Sequence, residues 1–358
     1  MSIREVRAHR VSVPLHTAFV TAIRTVHAVE SVLVEMVDAD GRSGWGEGPG
    51  TWKVTGDSVP GIEAAVTGPL QDAVLGRSPE DLADVCAGIE RVIVGNTAAK
   101  SAVDCSLHDL AAQRLGVPLP RLLGSSSLRV ATDVTLAAGP AQDMALAATE
   151  RTAEGFAVLK IKLGDGTADD VERLRLIRAA AGPTAVLRVD ANQGWTPRQA
   201  VRAIRAMEDA GLDLELVEQP VPAGDLDGLA FVTAHVSTPV MADESVWSAR
   251  DLLEIVRRRA ADLVNVKLAK CGGIGPARQL LAVAHAAGTG VLLGSMMETH
   301  VGVGATASLA TVARSAGVDD LDAAWWLAAS PVEGGLRYDS ARVVLPDAPG
   351  LGIAGLAS

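Results

Sequence analysis

Three consecutive apolar runs in the middle of the chain end in carboxylates. The runs AVLRVDA, LELVEQP and PVMADE contribute Asp190, Glu218 and Asp243. A single acidic residue after a strand is often the N-cap of the next helix, but three in succession indicate a shared site. Carboxylate oxygens with no His or Cys among them are the ligands that Mg²⁺ prefers. The pattern predicts one Mg²⁺ per subunit, and the alternative is an acidic rim balanced by lysines.

Lysines end two other apolar runs. The run AVLKIKLG places Lys160 and Lys162 on one face of a strand, because alternate side chains of a strand share a face. At ~7 Å and an effective dielectric constant of ~20, two ammonium groups repel each other by about 2.4 kcal/mol. We therefore expect Lys162 to act as a neutral base. Lys267 ends the run DLVNVKL four strands further on, so we expect it on the opposite side of the metal.

With two bases on opposite sides of one carbon, one base can remove a proton and the other can return a proton to the same carbon. The arrangement therefore predicts a 1,1-proton transfer. The carbon would lie next to a carboxylate, and removal of its proton would give an enediolate. General acid-base catalysis alone contributes only about 10² to 10⁴ in rate, so the metal and the fixed ammonium charges must supply most of the remainder. The predicted reaction inverts a stereocentre.

The runs that carry these residues recur at regular spacing, which indicates how they are positioned. Each is a short apolar stretch followed by about a dozen residues of helical pattern. Near-continuous apolar strands that alternate with helices are typical of a parallel sheet buried on both faces, and eight such units close into a barrel. We predict an α/β fold, a modified (β/α)8 barrel of the TIM type, (β/α)7β; a doubly wound open sheet is the alternative. One marker for each unit is Thr132, Lys160, Asp190, Glu218, Asp243, Lys267, Ser295 and Asp320.

The chain divides into three parts by pattern. Residues 1–122 predict an α+β capping domain, with antiparallel strands around a turn at Asp40-Gly41 and three helical segments. Residues 16–28, HTAFVTAIRTVHA, predict a loop within it. Residues 123–330 predict the barrel, and residues 331–358 predict a segment that returns to the capping domain.

Composition excludes several classes of partner. The chain has 358 residues, 48% of them hydrophobic, and a formal net charge of −11 without a basic block, so we expect no nucleic acid partner. No apolar run is long enough to span a membrane, so we expect no membrane insertion. The three cysteines are widely spaced, which indicates neither a disulfide framework nor a thiolate zinc site. We expect a cytoplasmic protein.

Six ordered motifs resemble the strand-end motifs of the muconate-lactonizing subgroup of the enolase superfamily. They are VLKIKLG, RVDANQGW, VEQP, MADES, NVKLAKCGG and GSMMETHVG. The resemblance implies that Lys162 and Lys267 form the acid/base pair, that Lys160 assists them, and that the three carboxylates bind Mg²⁺. It also implies a homo-oligomer.

Within the subgroup, three further features resemble the dipeptide epimerases. Asp320-Leu321-Asp322 is similar to the pair of aspartates that holds the free ammonium of a dipeptide, and Thr135 of TDVTL is a substrate contact by the same resemblance. Arg24 resembles the arginine that holds a side-chain carboxylate in the enzymes acting on Ala-Glu. The candidate substrate contacts are Arg24, Thr135, Ser295, Glu298, Asp320 and Asp322.

The resemblance implies an isomerase. We expect a Mg²⁺-dependent epimerase that inverts the α-carbon of the C-terminal residue of a small dipeptide of the L-Ala-D/L-Glu type. The same scaffold also supports alternatives: an o-succinylbenzoate synthase or a muconate cycloisomerase-like lyase, and an N-acylamino acid racemase. A barrel that binds a small acid without catalysis explains the carboxylates but not the two lysines.

Overall fold

The structure is a computed structural model that describes residues 2–20, 25–163 and 168–357. Arg24, one of the predicted substrate contacts, lies outside the described residues. Among the described helices, none combines the length and the apolar character that a membrane crossing requires.

The N-terminal part, called the cap below, begins with a three-stranded antiparallel sheet. Its strands are β1 (Ile3–Val20), β2 (Thr25–Asp38) and β3 (Ser43–Pro49), in that order across the sheet. Gly41, with φ of 79°, forms the predicted turn between β2 and β3. The prediction of a loop over residues 16–28 is wrong for the described part, because Phe19 still pairs with Val26. The branched residues Val20, Thr25 and Val26 continue the pairing of β1 with β2.

Five helices complete the cap. They are α1 (Val59–Ala65), α2 (Gln71–Val74), α3 (Leu82–Val92), α4 (Thr97–Leu115) and α5 (Leu119–Leu123), with a π-helical turn over Val66–Leu70. Helix α4 is buried along most of its length because the sheet covers one side of it and the barrel helices approach the other. Val34, Met36 and Leu107 lie in the hydrophobic core of the cap.

The second part is a curled parallel sheet of seven strands wrapped by helices. The sheet runs in chain order from β5 to β11. The strands, with β4 preceding the sheet, are β4 (Arg129–Ala131), β5 (Val134–Leu136), β6 (Val158–Lys162), β7 (Val186–Asp190), β8 (Leu214–Glu218), β9 (Val240–Ala242), β10 (Leu263–Lys267) and β11 (Gly290–Gly294). The helices are α6 (Ala141–Ala153), α7 (Ala168–Ala181), α8 (Pro197–Asp209), α9 (Leu226–His235), α10 (Ala249–Arg258), α11 (Leu268–Cys271), α12 (Ile274–Ala287) and α13 (His300–Ala313).

The eighth predicted unit closes the sheet with two single bridges. Asp319 pairs with Thr132, which lies just before β5, and Asp320 pairs with Gly294 at the end of β11, both in parallel. The closed arrangement confirms the predicted TIM-type barrel and excludes the open sheet. The eighth unit continues into a 3₁₀ turn, Ala323–Trp326, rather than a full strand.

The last residues form short antiparallel strands. They are β12 (Val332–Gly334), β13 (Arg337–Tyr338), β14 (Arg342–Val344) and β15 (Ile353–Leu356); β12 pairs with β15, and β14 lies between β13 and β4. Gly350 also exchanges backbone hydrogen bonds with the chain before α5. These contacts support the division into residues 1–122, 123–330 and 331–358, which we retain as a proposal.

Candidate active site

One cavity collects most of the residues singled out from the sequence. It lies at the C-terminal ends of the barrel strands, where a parallel barrel brings together the residues that follow each strand, and we call it the mouth cavity. Its polar lining consists of Thr135, Lys160, Lys162, Asn192, Asp243, Glu244, Lys267, Ser295, Asp320 and Asp322.

Lys160 is surrounded by carboxylates from three strand ends. Its Nζ lies 2.7 Å from Glu218 Oε2, 2.8 Å from Asp320 Oδ2 and 3.2 Å from Asp190 Oδ2. Burial lowers the pKa of Lys160, but these carboxylates outweigh it and raise the pKa well above its usual value. Lys160 therefore stays an ammonium. The repulsion between lysines expected from the sequence is outweighed by the surrounding negative charge.

Lys162 and Lys267 flank the carboxylates from opposite ends of the set. Lys162 ends β6 and its Nζ lies 2.6 Å from Asp190 Oδ2, whereas Lys267 ends β10 and its Nζ lies 2.8 Å from Asp243 Oδ2. Burial lowers the pKa of Lys267, and Asp243 more than compensates, so the pKa is raised. Because β7, β8 and β9 lie between β6 and β10, the two amines reach the mouth cavity from different sides.

The three predicted metal ligands end the three strands between the lysines. Asp190 pairs with Glu218 across β7 and β8, and Asp243 follows the end of β9. All three are almost completely buried. Burial raises the pKa of Asp190, but the Lys162 and Lys160 ammonium groups outweigh it and hold the pKa at about 2. Burial also opposes ionisation of Asp243, whose pKa is lowered overall, chiefly by Lys267.

Other side chains hold these carboxylates in place. Asn265 Nδ2 donates to Glu218 Oε1 at 3.0 Å, and Gln219 Oε1 accepts from the amide of Asp243 at 2.9 Å. Lys270 Nζ donates to both the carboxylate and the carbonyl oxygen of Asp243. Sequence reasoning missed Asn265 and Gln219. Asn265 could have been found, because it lies two positions before Lys267 and so shares its face of β10.

The donor set fits a hard divalent cation. All the candidate ligands are oxygens. The carboxylate oxygen Oε2 of Glu244 and the amide oxygen Oδ1 of Asn192 are buried, and neither has a hydrogen-bond partner among the described residues. Both residues line the mouth cavity beside Asp243. Buried oxygens without donors are the groups that a cation and its bound water satisfy.

A second acidic cluster lies beside the first. Carboxylate oxygens of Asp133, Asp320 and Asp322 lie within 4.8 Å of one another. Each has a polar contact: Asp133 Oδ2 lies 3.0 Å from Arg188 Nη1, Asp320 contacts Lys160, and Asp322 Oδ2 accepts from Trp326 Nε1 at 3.0 Å. Asp133 Oδ1 is buried and has no hydrogen-bond partner among the described residues. Sequence reasoning missed Asp133, which precedes β5 and is fully buried.

The structure gives three neighbouring aspartates, Asp319, Asp320 and Asp322, different surroundings. Asp320 and Asp322 line the mouth cavity. Asp319 does not; it accepts hydrogen bonds from the Leu293 amide and from Ser315. Asp322 also accepts from the amide of Thr135 at 2.7 Å, which ties the first and last units of the barrel together.

Two predicted substrate contacts differ in outcome. Ser295 lines the mouth cavity as expected. Glu298 is not among the residues that line it, and its role as a substrate contact stays a prediction. Its Oε1 accepts from the Met296 amide, and a side chain placed at Gly302 would collide with its Oε2. The turn after β11 directs this carboxyl group towards the first turn of α13 and towards Glu47 of the cap.

Two family domains match the chain. Residues 3–124 match the mandelate racemase/muconate lactonizing enzyme N-terminal domain, and residues 143–355 match the enolase C-terminal domain-like family. The L-Ala-D/L-Glu epimerase of Bacillus subtilis (strain 168) is 43% identical over 358 residues, covering 100% of this chain and 98% of that protein. The chain belongs to the mandelate racemase/muconate lactonizing enzyme family.

Solved structures of this enolase-superfamily family share the whole architecture. A substrate-liganded complex of the L-Ala-D/L-Glu epimerase from Bacillus subtilis gives a TM-score of 0.97 at 43% identity, covering 100% of both chains. The dipeptide epimerase of Enterococcus faecalis V583, complexed with Mg and the dipeptide L-Leu-L-Tyr, gives 0.95 at 37% identity, covering 99% of both chains. The family resemblance expected from the six motifs is confirmed.

Proposed function

We propose that this protein is an isomerase, a Mg²⁺-dependent epimerase that inverts the α-carbon of the C-terminal residue of a dipeptide of the L-Ala-D/L-Glu type. The observation that carries the proposal is the pair Lys162 and Lys267, which enter one cavity from opposite ends of a carboxylate set. The 43% identity to an L-Ala-D/L-Glu epimerase along the whole chain favours it over the lyase, the racemase and the non-catalytic alternatives.

Each lysine would serve one face of the α-carbon. One amine removes the α-proton and the ammonium of the other returns a proton to the opposite face, so the configuration inverts. The Lys160 ammonium stays charged in its carboxylate surroundings and adds positive charge beside the substrate carboxylate. Because each lysine alternates between base and acid, the reaction is reversible.

Asp190, Glu218 and Asp243 would hold the Mg²⁺ ion. When bound, the ion stabilises the negative charge that develops on the substrate carboxylate. We favour this set over Asp133, Asp320 and Asp322 because the family resemblance assigns the metal to the three strand-end carboxylates. Glu244 and Asn192, each with a buried oxygen that has no donor among the described residues, also line the cavity with Asp243. The enediolate would form between Lys162 and Lys267 and needs positive charge there. Asp190 contacts Lys162 and Asp243 contacts Lys267, so an ion held by this set would lie close to both lysines.

The metal assignment is tested by thermal unfolding with and without Mg²⁺. A ligand that binds only the folded state at 100 times its Kd stabilises it by about 2.7 kcal/mol. We expect Mg²⁺ to raise the unfolding midpoint of the wild type and of Asp133→Asn but not of Asp243→Asn. The reverse pattern would assign the ion to the second cluster.

Asp320 and Asp322 would bind the free ammonium of the dipeptide. Two buried carboxylates that face the cavity require a cation for compensation, and Lys160 neutralises only one of them directly. Thr135 and Ser295 would contact the peptide beside them. Arg24 would bind the γ-carboxylate of a glutamate residue, a role inferred from the resemblance alone.

Deuterium exchange tests the activity. Incubation of L-Ala-L-Glu with the Mg²⁺-loaded enzyme in D₂O should give L-Ala-D-Glu with deuterium at the glutamate α-carbon, observed by proton NMR. N-acetylated L-Ala-L-Glu should react far more slowly, since it lacks the ammonium. No exchange on any member of a dipeptide panel would refute the proposal, and exchange limited to apolar dipeptides would correct the side-chain assignment.

The cellular location, the oligomeric state and the partners of the enzyme are also proposals. All three cysteines are free thiols, which suits a reducing cytoplasm. A homo-oligomer follows from the resemblance, and the negative net charge argues against a nucleic acid partner.

A further inference from the structure

A second group of metal-binding side chains lies outside the mouth cavity, between the cap and the barrel. It consists of Cys86 on α3 with Asp104 and His108 on α4, and one ligand atom from each lies within 4.8 Å of the other two. Asp104 and His108 are one helical turn apart and so share a face of α4. The residues are far apart in sequence, which is why cysteine spacing gave no sign of the site.

Asp104 divides its two carboxylate oxygens between two tasks. Oδ1 accepts from the amides of Ile274 and Gly275, at 2.6 and 3.2 Å, and so caps α12 of the barrel. Oδ2 is on the side of Cys86: a methyl group placed on Gly275 would lie 3.1 Å from Oδ2 and 3.8 Å from Cys86 Sγ. A side chain at Gly275 would therefore crowd Asp104 Oδ2 and contact Cys86 Sγ.

His108 completes the group and is held beside the same carboxylate. Its Nδ1 lies 2.8 Å from the carbonyl oxygen of Asp104 and 3.3 Å from Oδ1. The side chains of Asp104 and His108 are almost fully buried, whereas Cys86 is only partly buried. The group therefore combines preorganised ligands with a route to solvent.

We propose that Cys86, Asp104 and His108 bind a divalent cation of the zinc class, with water as a fourth ligand. Sulfur, imidazole nitrogen and carboxylate oxygen together suit Zn²⁺ or Co²⁺, whereas Mg²⁺ avoids thiolate. Binding converts the Cys86 thiol to a thiolate and releases its proton to solvent. Zinc–ligand distances of roughly 2.0 to 2.3 Å require the three ligands to close by about an ångström.

Such an ion would link α3 to α4 within the cap, through the same aspartate that holds the segment following β10. Asp104 already holds the start of α12, and α11 between them carries Lys270, whose Nζ contacts Asp243. The site is therefore structurally connected to the mouth cavity while sharing no ligand with it. It is independent of the proposed function, and its test does not use catalysis as the readout.

Cobalt absorption provides the test. Reduced, Mg²⁺-saturated full-length protein is titrated with Co²⁺, and a thiolate-to-cobalt charge-transfer band in the near ultraviolet is followed. We expect one Co²⁺ per chain with this band, at least tenfold weaker binding in Cys86→Ser and His108→Gln, and weaker binding in Gly275→Ala, where the added methyl group crowds Asp104 Oδ2 but every ligand remains.

Cys105→Ala and Cys271→Ala serve as matched controls, because they remove the other two thiols and should keep the band. Thermal unfolding of each variant identifies any that fails to fold, and Gly275→Ala supplies a variant that removes no ligand. The absence of the band in the wild type would overturn the proposal. A band that persists in Cys86→Ser but disappears in either control would overturn it as well.

Discussion

At the scale of single residues, three aspartates within four positions have different surroundings. Asp319 bonds to the Leu293 amide and to Ser315, away from the mouth cavity, whereas Asp320 and Asp322 line it. Burial and Asp320 together raise the pKa of Asp322. A substrate ammonium between the two side chains would relieve the repulsion behind that shift. Recognition of the dipeptide N-terminus is thus expected from this pair alone.

Asp322→Asn tests this assignment. Hydrogen bonds to charged groups contribute about 1.5 to 3 kcal/mol, so we expect KM for L-Ala-L-Glu to rise roughly 10- to 150-fold, with a smaller change in kcat. Steady-state kinetics by polarimetry measures both. The N-acetylated dipeptide should show no such difference between the variant and the wild type.

Asp319→Asn is the matched control, since it changes the same functional group three positions away in the sequence. We expect lower stability with KM unchanged. An unchanged KM in Asp322→Asn, or a raised KM in Asp319→Asn alone, would contradict the assignment.

At the scale of elements, glycines set the distance between β3 and α4. Gly44, Gly46 and Gly48 alternate along β3 and so face the helix together. A methyl group at Gly46 would overlap the carbonyl oxygen of Ala102 and lie 2.8 Å from the amide nitrogen of Ser106. The motif GWGEG therefore permits contact between sheet and helix backbone, and it also presents Glu47 to the barrel.

Gly46→Ala is expected to destabilise the cap. Overpacking against rigid backbone costs about 1 to 3 kcal/mol, and sometimes more. Urea unfolding measures the loss. Gly88→Ala, within α3, is the matched control: nothing lies within 4 Å of its added methyl group, so we expect a gain of up to about 1 kcal/mol. Equal effects of the two substitutions would contradict this explanation of the β3 glycines.

At the scale of the whole molecule, a buried pair of glutamates joins the cap to the barrel. Glu47 of β3 accepts from the amides of Thr299 and Gly302 at 2.9 Å each, in the first turn of α13. Burial, followed by the charge of Glu47, raises the pKa of Glu298 to about 8. Lys267 and Cys105 also face Glu298. At neutral pH Glu298 therefore retains its proton.

The contact between Glu47 and Glu298 predicts that the stability of the fold depends on pH. Between pH 4.5 and about 8 the folded protein retains a proton on Glu298 that the unfolded chain has lost, so this group destabilises the fold as pH rises through that window. Glu298→Gln cannot ionise. We expect its stability relative to the wild type to increase from pH 5 to pH 8, measured by urea unfolding. A difference independent of pH would show that Glu298 is already ionised.

The sequence predicted the barrel and the lysines that line its mouth because both depend on local patterns. Strand-end carboxylates and lysines at regular spacing specify which residues meet at the mouth of a barrel, and Lys160, Lys162 and Lys267 lie there. Contacts between distant segments were not predictable. The second acidic cluster includes Asp133, which sequence reasoning did not identify. The position of the Glu298 carboxyl group depends on Glu47, which lies 251 positions away in the other domain.

Lys162 and Lys267 are proposed to serve opposite faces of one α-carbon. The most direct measurement is α-proton exchange in D₂O by Lys162→Ala and Lys267→Ala, each offered L-Ala-L-Glu and L-Ala-D-Glu separately. We predict that neither variant interconverts the two dipeptides, that each exchanges the α-proton of one of them only, and that the two variants exchange different ones. Exchange of the same dipeptide by both variants, or undiminished epimerisation by either, would contradict the account.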